Sequence, residues 1–247
     1  MSEADASDSL ISHLLELRAR LLRAVVGVLL VFVVLLPFAS RLYSVVATPL
    51  MRSLAPGASV IAIDITSTFF VPMRLAFFAA LLLAAPVVLY QLWAFVAPGL
   101  YQHEKRLARP LLVAATLLFY AGCAFMYFVM LPVLFAYLGS GVPEGVQRMP
   151  DLAHYLDFLL VMFLAGGLSF EVPVAVMIAV LLGWVTPAQL SAGRGYVIVA
   201  IFVIAAVLTP PDAVSQLLLA APMWALYEIG LLCARLLQRP ARAATSP

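Results

Sequence analysis

Charged side chains are scarce in this chain. Of its 247 residues only 11% are charged while 65% are hydrophobic, and the mean hydropathy is +1.11. A soluble domain carries about 25% charged and about 45–50% apolar residues. A water-soluble globular domain is therefore excluded, and a polytopic membrane protein with little mass outside the bilayer remains. Cysteine is also sparse. Cys123 and Cys233 both lie in apolar segments, so no disulfide framework can be argued. The three histidines, His13, His103 and His154, are isolated from one another and show no metal-ligand spacing. No phosphate loop, Gly-x-Ser-x-Gly elbow or HExxH motif occurs. An intramembrane enzyme thus has no support, and no catalytic residue, metal, cofactor or nucleic-acid partner is expected. The opening "MSEADASDS" is acidic and lacks the basic start of a cleavable signal peptide.

What is present is a series of long apolar runs. A helix needs about 20 apolar residues to cross about 30 Å of hydrocarbon. Six spans are predicted, over residues 21–39, 69–92, 110–138, 155–182, 196–208 and 213–232. The fifth is too short, since its residues at about 1.5 Å each give only ~20 Å, and the sixth is marginal. "LTPPDAV", residues 208–214, is a tight turn between them, because paired prolines cannot continue a helix. Short spans require local bilayer thinning or shelter by neighbouring helices. The expected organisation is one six-span domain over residues 1–238, with an amphipathic helix over about 9–20 lying on the membrane surface and a disordered tail over 239–247. In that helix Leu10, Leu14, Leu17 and Leu21 form an apolar stripe.

The basic residues set an orientation. Arg18, Arg20, Arg23, Lys105, Arg106, Arg109, Arg194, Arg235, Arg239 and Arg242 fall on one side. Arg41, Arg52 and Arg148 fall on the other. Both termini are expected in the cytoplasm, with outward loops at 40–68, 139–154 and 209–212. Aromatics near span ends, among them Trp93, Trp184 and Tyr196, fit interfacial belts.

Against this apolar background a few polar residues stand out. Glu171, in "AGGLSFEVPVAV", sits within a long apolar run. A charge at mid-helix costs about 2.5–3.5 kcal/mol on insertion scales and normally faces the bundle interior or a wet cavity. Pro173 follows closely and can kink the helix. The bland alternative is a protonated acid bonded to a neighbouring helix. In "HLLELRAR", Glu16 and Arg20 are four apart with the acid first, as helical ion pairs prefer; alone this reads as a surface pair. In "FVAPGLYQHEKR", Glu104 is an acid among bases, which alone reads as a solvated loop charge. On the outward side, Asp212 fits a cap for span six, and Thr209 and Gln216 fit hydrogen bonds to another helix. Glu228, late in span six, suits a pairing with Arg235 or the interface.

"HLLELRARLL", "YQLWAFVAPGLYQHEKR", "LSFEVPV" and "LTPPDAVSQLLLAAPM" together resemble the TatC family, the multispanning receptor subunits of the twin-arginine protein translocase. The resemblance runs from about Leu10 to Leu237. It implies a six-helix, all-α membrane protein shaped like a cupped hand, with both termini cytoplasmic, in a bacterial inner membrane. It implies recognition of signal peptides bearing consecutive arginines and export of folded proteins. Partners would be single-span proteins of the TatA and TatB type, with several copies of the chain in the complex. The proton-motive force would supply the energy.

The resemblance assigns residues as well. Glu16, Arg18, Phe95 and Glu104 match the twin-arginine site. Two arginines ask for two acids, because guanidinium and carboxylate form charge-assisted, bidentate hydrogen bonds. Glu171 matches a buried acid, which would polarise the interior, admit water and thin the membrane, or pair with a partner's helix. Pro49 and Asp212 match outward-side positions. Thr209 and Gln216 match a polar patch where partner helices dock, with weaker matches at Tyr127 and Asp151. The competing class is a proton-coupled small-solute transporter, which a buried acid and half-length spans also suit. A scaffold without a substrate of its own is a third.

Overall fold

The computed structural model describes residues 3–53, 63–96, 105–140, 151–208 and 213–243. The described chain is helical almost throughout. Its helices are α1 (Glu3–Leu35), α2 (Ala39–Ser53), α3 (Ser67–Val96), α4 (Lys105–Phe125), α5 (Leu131–Ser140), α6 (Leu152–Phe170), α7 (Val172–Leu181), α8 (Pro187–Ala192), α9 (Arg194–Leu208) and α10 (Ala213–Ala243). Among the described residues, five stretches are long and apolar enough to cross a membrane: Leu14–Val46, Ser67–Phe95, Arg109–Tyr137, Leu152–Leu181 and Ala213–Leu236. α9 is apolar but shorter, as its sequence predicts.

The chain divides into two compact units. The first comprises Met1–Val46 and Asp64–Thr116, the second Ala47–Ile63 and Leu117–Pro247. In the first unit α1 and α3 pack antiparallel. Val28, Ala80 and Ala84 form their buried seam, and Phe32 meets Phe77 edge to face with centroids 5.6 Å apart. Gly27 lies against Val87. Small residues in the seam let the two backbones approach, which is how apolar helices gain dispersion energy without help from water.

The second unit is built around two seams. α7 and α10 pack side by side through Val176, Val180, Tyr227 and Ala234. α9 and α10 enclose Ile201, Ala205, Leu219, Ala220 and Met223, together with Met126 and Met130. Between α4 and α5, residues Met126–Met130 form a π-helical turn. Pro132, which follows it, has no N–H to give the Phe128 carbonyl, and a widened turn accommodates that loss. Gly122 and Gly166 bring α4 and α6 so close that a Cβ on Gly122 would stand 2.3 Å from the Gly166 carbonyl oxygen.

Several expectations change. The amphipathic segment 9–20 does not turn before the first span; it continues into α1. No proline and no glycine before Gly27 interrupts good helix formers there. Leu14, Leu17 and Leu21 of its apolar stripe are exposed. The first outward stretch, read as a loop from residue 40, contains α2, and Pro49 lies within that helix. Pro37, in the 3-10 turn Leu36–Phe38, separates α1 from α2 because it cannot donate to the preceding turn. The tail is helical to Ala243 rather than disordered from 239, because Arg, Ala and Leu propagate a helix already packed upstream. Trp93 is buried, 5% exposed, so it is a core residue and not part of an interfacial belt.

Candidate functional site

In the first unit, the antiparallel seam places Glu16 and Phe95 at the same end of the α1–α3 pair. Glu16 lies about three turns before Gly27, and Phe95 about two turns beyond Val87. Arg20 donates to Glu16 Oε1 from Nε at 2.9 Å and from Nη2 at 2.5 Å. This is the i,i+4 pair expected from the sequence, formed because residues four apart share a helix face. The acid remains partly open to solvent, with 37% of its side chain exposed. Arg18 is exposed and, two residues from Glu16, points to another side of the helix. Phe95 is half-buried. Glu104 lies outside the described residues.

In the second unit, Glu171 stands at a break. It closes α6 and opens α7, with φ −76° and ψ −15°. Its N–H donates to the Leu168 carbonyl at 3.1 Å, and its own carbonyl accepts from Ala175 at 2.9 Å. Pro173 is the second residue of α7 and has no N–H to offer the preceding turn. Ser169 Oγ donates back to the Ala165 carbonyl at 2.6 Å, a contact that bends helices. Together they explain why one long apolar run becomes two helices at the acid. Glu171 is half-buried, and its Oε1 is buried without a hydrogen-bond donor among the described residues. Next to the break, Gly230 of α10 lets that helix come within reach of Pro173: a Cβ there would lie 2.7 Å from the Pro173 Cα.

Gln216 is already engaged inside the second unit. Its Nε2 donates to the Phe202 carbonyl at 2.9 Å, tying α10 to α9. Thr209 and Asp212 lie outside the described residues. Asp151 caps α6: its carboxylate accepts from the His154 backbone N–H at 3.2 Å, from His154 Nδ1 at 2.6 Å and from the Ile63 N–H at 3.3 Å.

Glu228 forms its ion pair with Arg194 and not with Arg235. Arg194 holds it with Nε on Oε1 at 2.6 Å and Nη2 on Oε2 at 2.9 Å. Arg194 Nη1 also donates to Ser191 Oγ at 2.9 Å, and Tyr227 Oη donates to the Leu190 carbonyl at 2.8 Å. The sequence reading missed this cluster. One signal was available: "TPAQ" before Arg194 is a capping box with proline at N1, which starts α8 and sets the turn into α9. Among the described residues no group of three or more His, Cys, Asp or Glu is placed to hold a metal ion.

A family model described as the Sec-independent protein translocase protein TatC matches residues 12–222. The chain belongs to the TatC family. It is 52% identical over 229 residues to the Sec-independent protein translocase protein TatC of Azotobacter chroococcum mcd 1, a match covering 93% of this chain and 90% of that one. With the protein of the same name from Escherichia coli strain K12 it shares 50% identity over 226 residues, 92% of this chain and 88% of that one. A crystal structure of a protein described as the twin arginine translocase receptor TatC superposes with a TM-score of 0.81 at 35% identity, covering 91% of this chain and 98% of that one. This TatC-family chain is thus a multi-pass membrane subunit of a Sec-independent protein translocase.

Proposed function

We infer that this chain is the receptor subunit of a twin-arginine translocase and that Glu16, Arg18, Phe95 and Glu104 form its site for signal-peptide arginines. The supporting observation is Glu16 itself: a partly exposed carboxylate, at the same end of the α1–α3 pair as Phe95, that already accepts a guanidinium fork. A carboxylate that binds one guanidinium this way is chemically fit to bind another, and Arg outmatches Lys there because its planar fork offers two parallel donors. Glu104 follows α3 in sequence and supplies the second acid. The site faces the cytoplasm in a bacterial inner membrane, with both termini on that side, and α9 serves as a short fifth span in a six-span topology.

Glu171 is the polar element within the membrane. A half-buried acid at a helix break attracts water and, with the short α9, favours a locally thinned bilayer. Thr209 and Gln216 mark where TatA-type and TatB-type helices dock, and folded cargo then crosses under the proton-motive force. The released Phe202 carbonyl would be the cost of recruiting Gln216 to a partner.

The decisive experiment places a photo-crosslinker at position 104, and separately at 95, in inner-membrane vesicles. Signal peptides with paired arginines and with paired lysines are then compared. Crosslinking to the arginine form, much reduced with lysines, is the expected result. Equal or absent crosslinking to both would sink the receptor reading and move a proton-coupled transporter dependent on Glu171, or a scaffold, ahead of it.

A further inference from the structure

α1 carries its own guanidinium on the acid assigned to signal-peptide arginines. Arg20 places both Nε and Nη2 on Glu16 Oε1. Its side chain is 21% exposed against 37% for Glu16, so the cation is the more deeply seated partner. We propose that Arg20 is an internal competitor: it occupies the Glu16 carboxylate until an incoming arginine takes it, and so sets the selectivity of the site for arginine over lysine. This rests on the reading of Glu16 as an arginine acceptor.

A ligand cation reaching Glu16 meets one of two costs. If it displaces Arg20, two charge-assisted hydrogen bonds are lost. An arginine returns two from its fork, whereas a lysine ammonium is a compact point charge that returns one in any given direction. If it settles beside Arg20, it meets a like charge across one carboxylate, and a strongly hydrated ammonium gains least from that crowded position. Either way the lysine form is penalised more. The strength of the pair suits a threshold and not a block. Partly exposed i,i+4 ion pairs change an equilibrium by only about two- to fivefold, which a ligand can overcome. Arg18 does not substitute for Arg20, since side chains two apart on a helix do not face each other.

The test uses the full-length protein in detergent, with fluorescent signal peptides carrying paired arginines or paired lysines. Wild type, Arg20→Gln, Arg20→Lys and Glu16→Gln are compared, each first shown to elute as a folded species. Arg20→Gln is expected to bind the arginine peptide about two- to fivefold tighter. It should bind the lysine peptide tighter still, so that the arginine-to-lysine affinity ratio falls by about threefold or more. Arg20→Lys, which keeps the charge but loses the fork, should fall between. Weaker or unchanged arginine binding in Arg20→Gln, with an unchanged ratio, would show that Arg20 merely braces the acid and would overturn the competitor role. Glu16→Gln separates the two readings. If it leaves arginine-peptide binding intact, the receptor site itself is misplaced and the competitor falls with it. If it abolishes binding while Arg20→Gln fails to tighten it, only the competitor falls.

Discussion

Arg194 and Glu228 form a two-pronged ion pair, Nε to Oε1 at 2.6 Å and Nη2 to Oε2 at 2.9 Å, that pins the start of α9 to the middle of α10. Each nitrogen has its own oxygen, the geometry in which guanidinium and carboxylate bond best. The Arg194–Ser191 and Tyr227–Leu190 bonds draw α8 into the same knot.

Because the two charges act as a unit, their substitutions should not add. Arg194→Gln and Glu228→Gln are each expected to lower the thermal midpoint of the detergent-solubilised protein slightly. The double variant should be no worse than the poorer single one. Added salt should narrow the gap to wild type, since both side chains are about one-third exposed. Strict additivity would show that the pair is not coupled in solution.

The α4–α6 crossing tolerates no side chain. At Gly122 a Cβ would meet the Gly166 carbonyl oxygen at 2.3 Å, and at Gly166 it would meet Met126 Cγ at 2.2 Å and the Gly122 oxygen at 2.8 Å. Backbone cannot swing aside as a flexible side chain can. Gly122→Ala should therefore destabilise the protein by at least about 2 kcal/mol and sharply reduce its folded yield. Gly195→Ala is the control: nothing lies within 4 Å of its Cβ, and its midpoint should match or exceed wild type.

Asp151 predicts a pH dependence. Its carboxyl is held below the usual carboxylate range, first by the hydrogen bond from the His154 ring and next by the His154 backbone N–H. A depressed carboxyl stabilises the fold fully above the unfolded value, about 3.9, and loses that contribution as pH falls through its lowered folded value. Asp151→Asn should thus melt below wild type at pH 7. The difference should shrink progressively below about pH 4. A gap that stays constant down to the lowest pH reached would assign the effect to the cap's shape and not its charge.

Gln216→Leu removes the bond to the Phe202 carbonyl. Side-chain hydrogen bonds within membrane helices average about 0.6 kcal/mol, with a maximum near 1.7, so the stability loss should fall in that range. If Gln216 also docks partner helices, transport should fall further than stability does. Transport that tracks stability alone would confine Gln216 to the α9–α10 hairpin.

Where the sequence proved readable, a local cause was at work. The long apolar runs, the shortness of α9 and the interruption beside Glu171 follow from composition, length and Pro173. The Glu16–Arg20 pair follows from helical spacing alone. The misreadings have distant or compensating causes. Glu228 finds Arg194 across 34 residues, a partner that the nearness of Arg235 in sequence conceals. Trp93 looked like a belt aromatic because position within a span does not reveal which face is covered. α2 was missed because Pro49 and nearby polar residues resemble loop composition. The π-helical turn at Met126–Met130 was invisible because Pro132 announces a disturbance without stating its form.

The length of α9 has a practical consequence for handling this protein. Its Arg194–Leu208 stretch extends about 22 Å, roughly 8 Å less than a typical hydrocarbon core, and mismatch costs fractions of a kcal/mol per Å. For α9 as the fifth span inferred above, the acyl-chain length of the surrounding lipid is a stability variable in its own right. Reconstitution into 14-carbon phosphatidylcholine should hold the α9–α10 hairpin more firmly than 18-carbon lipid does.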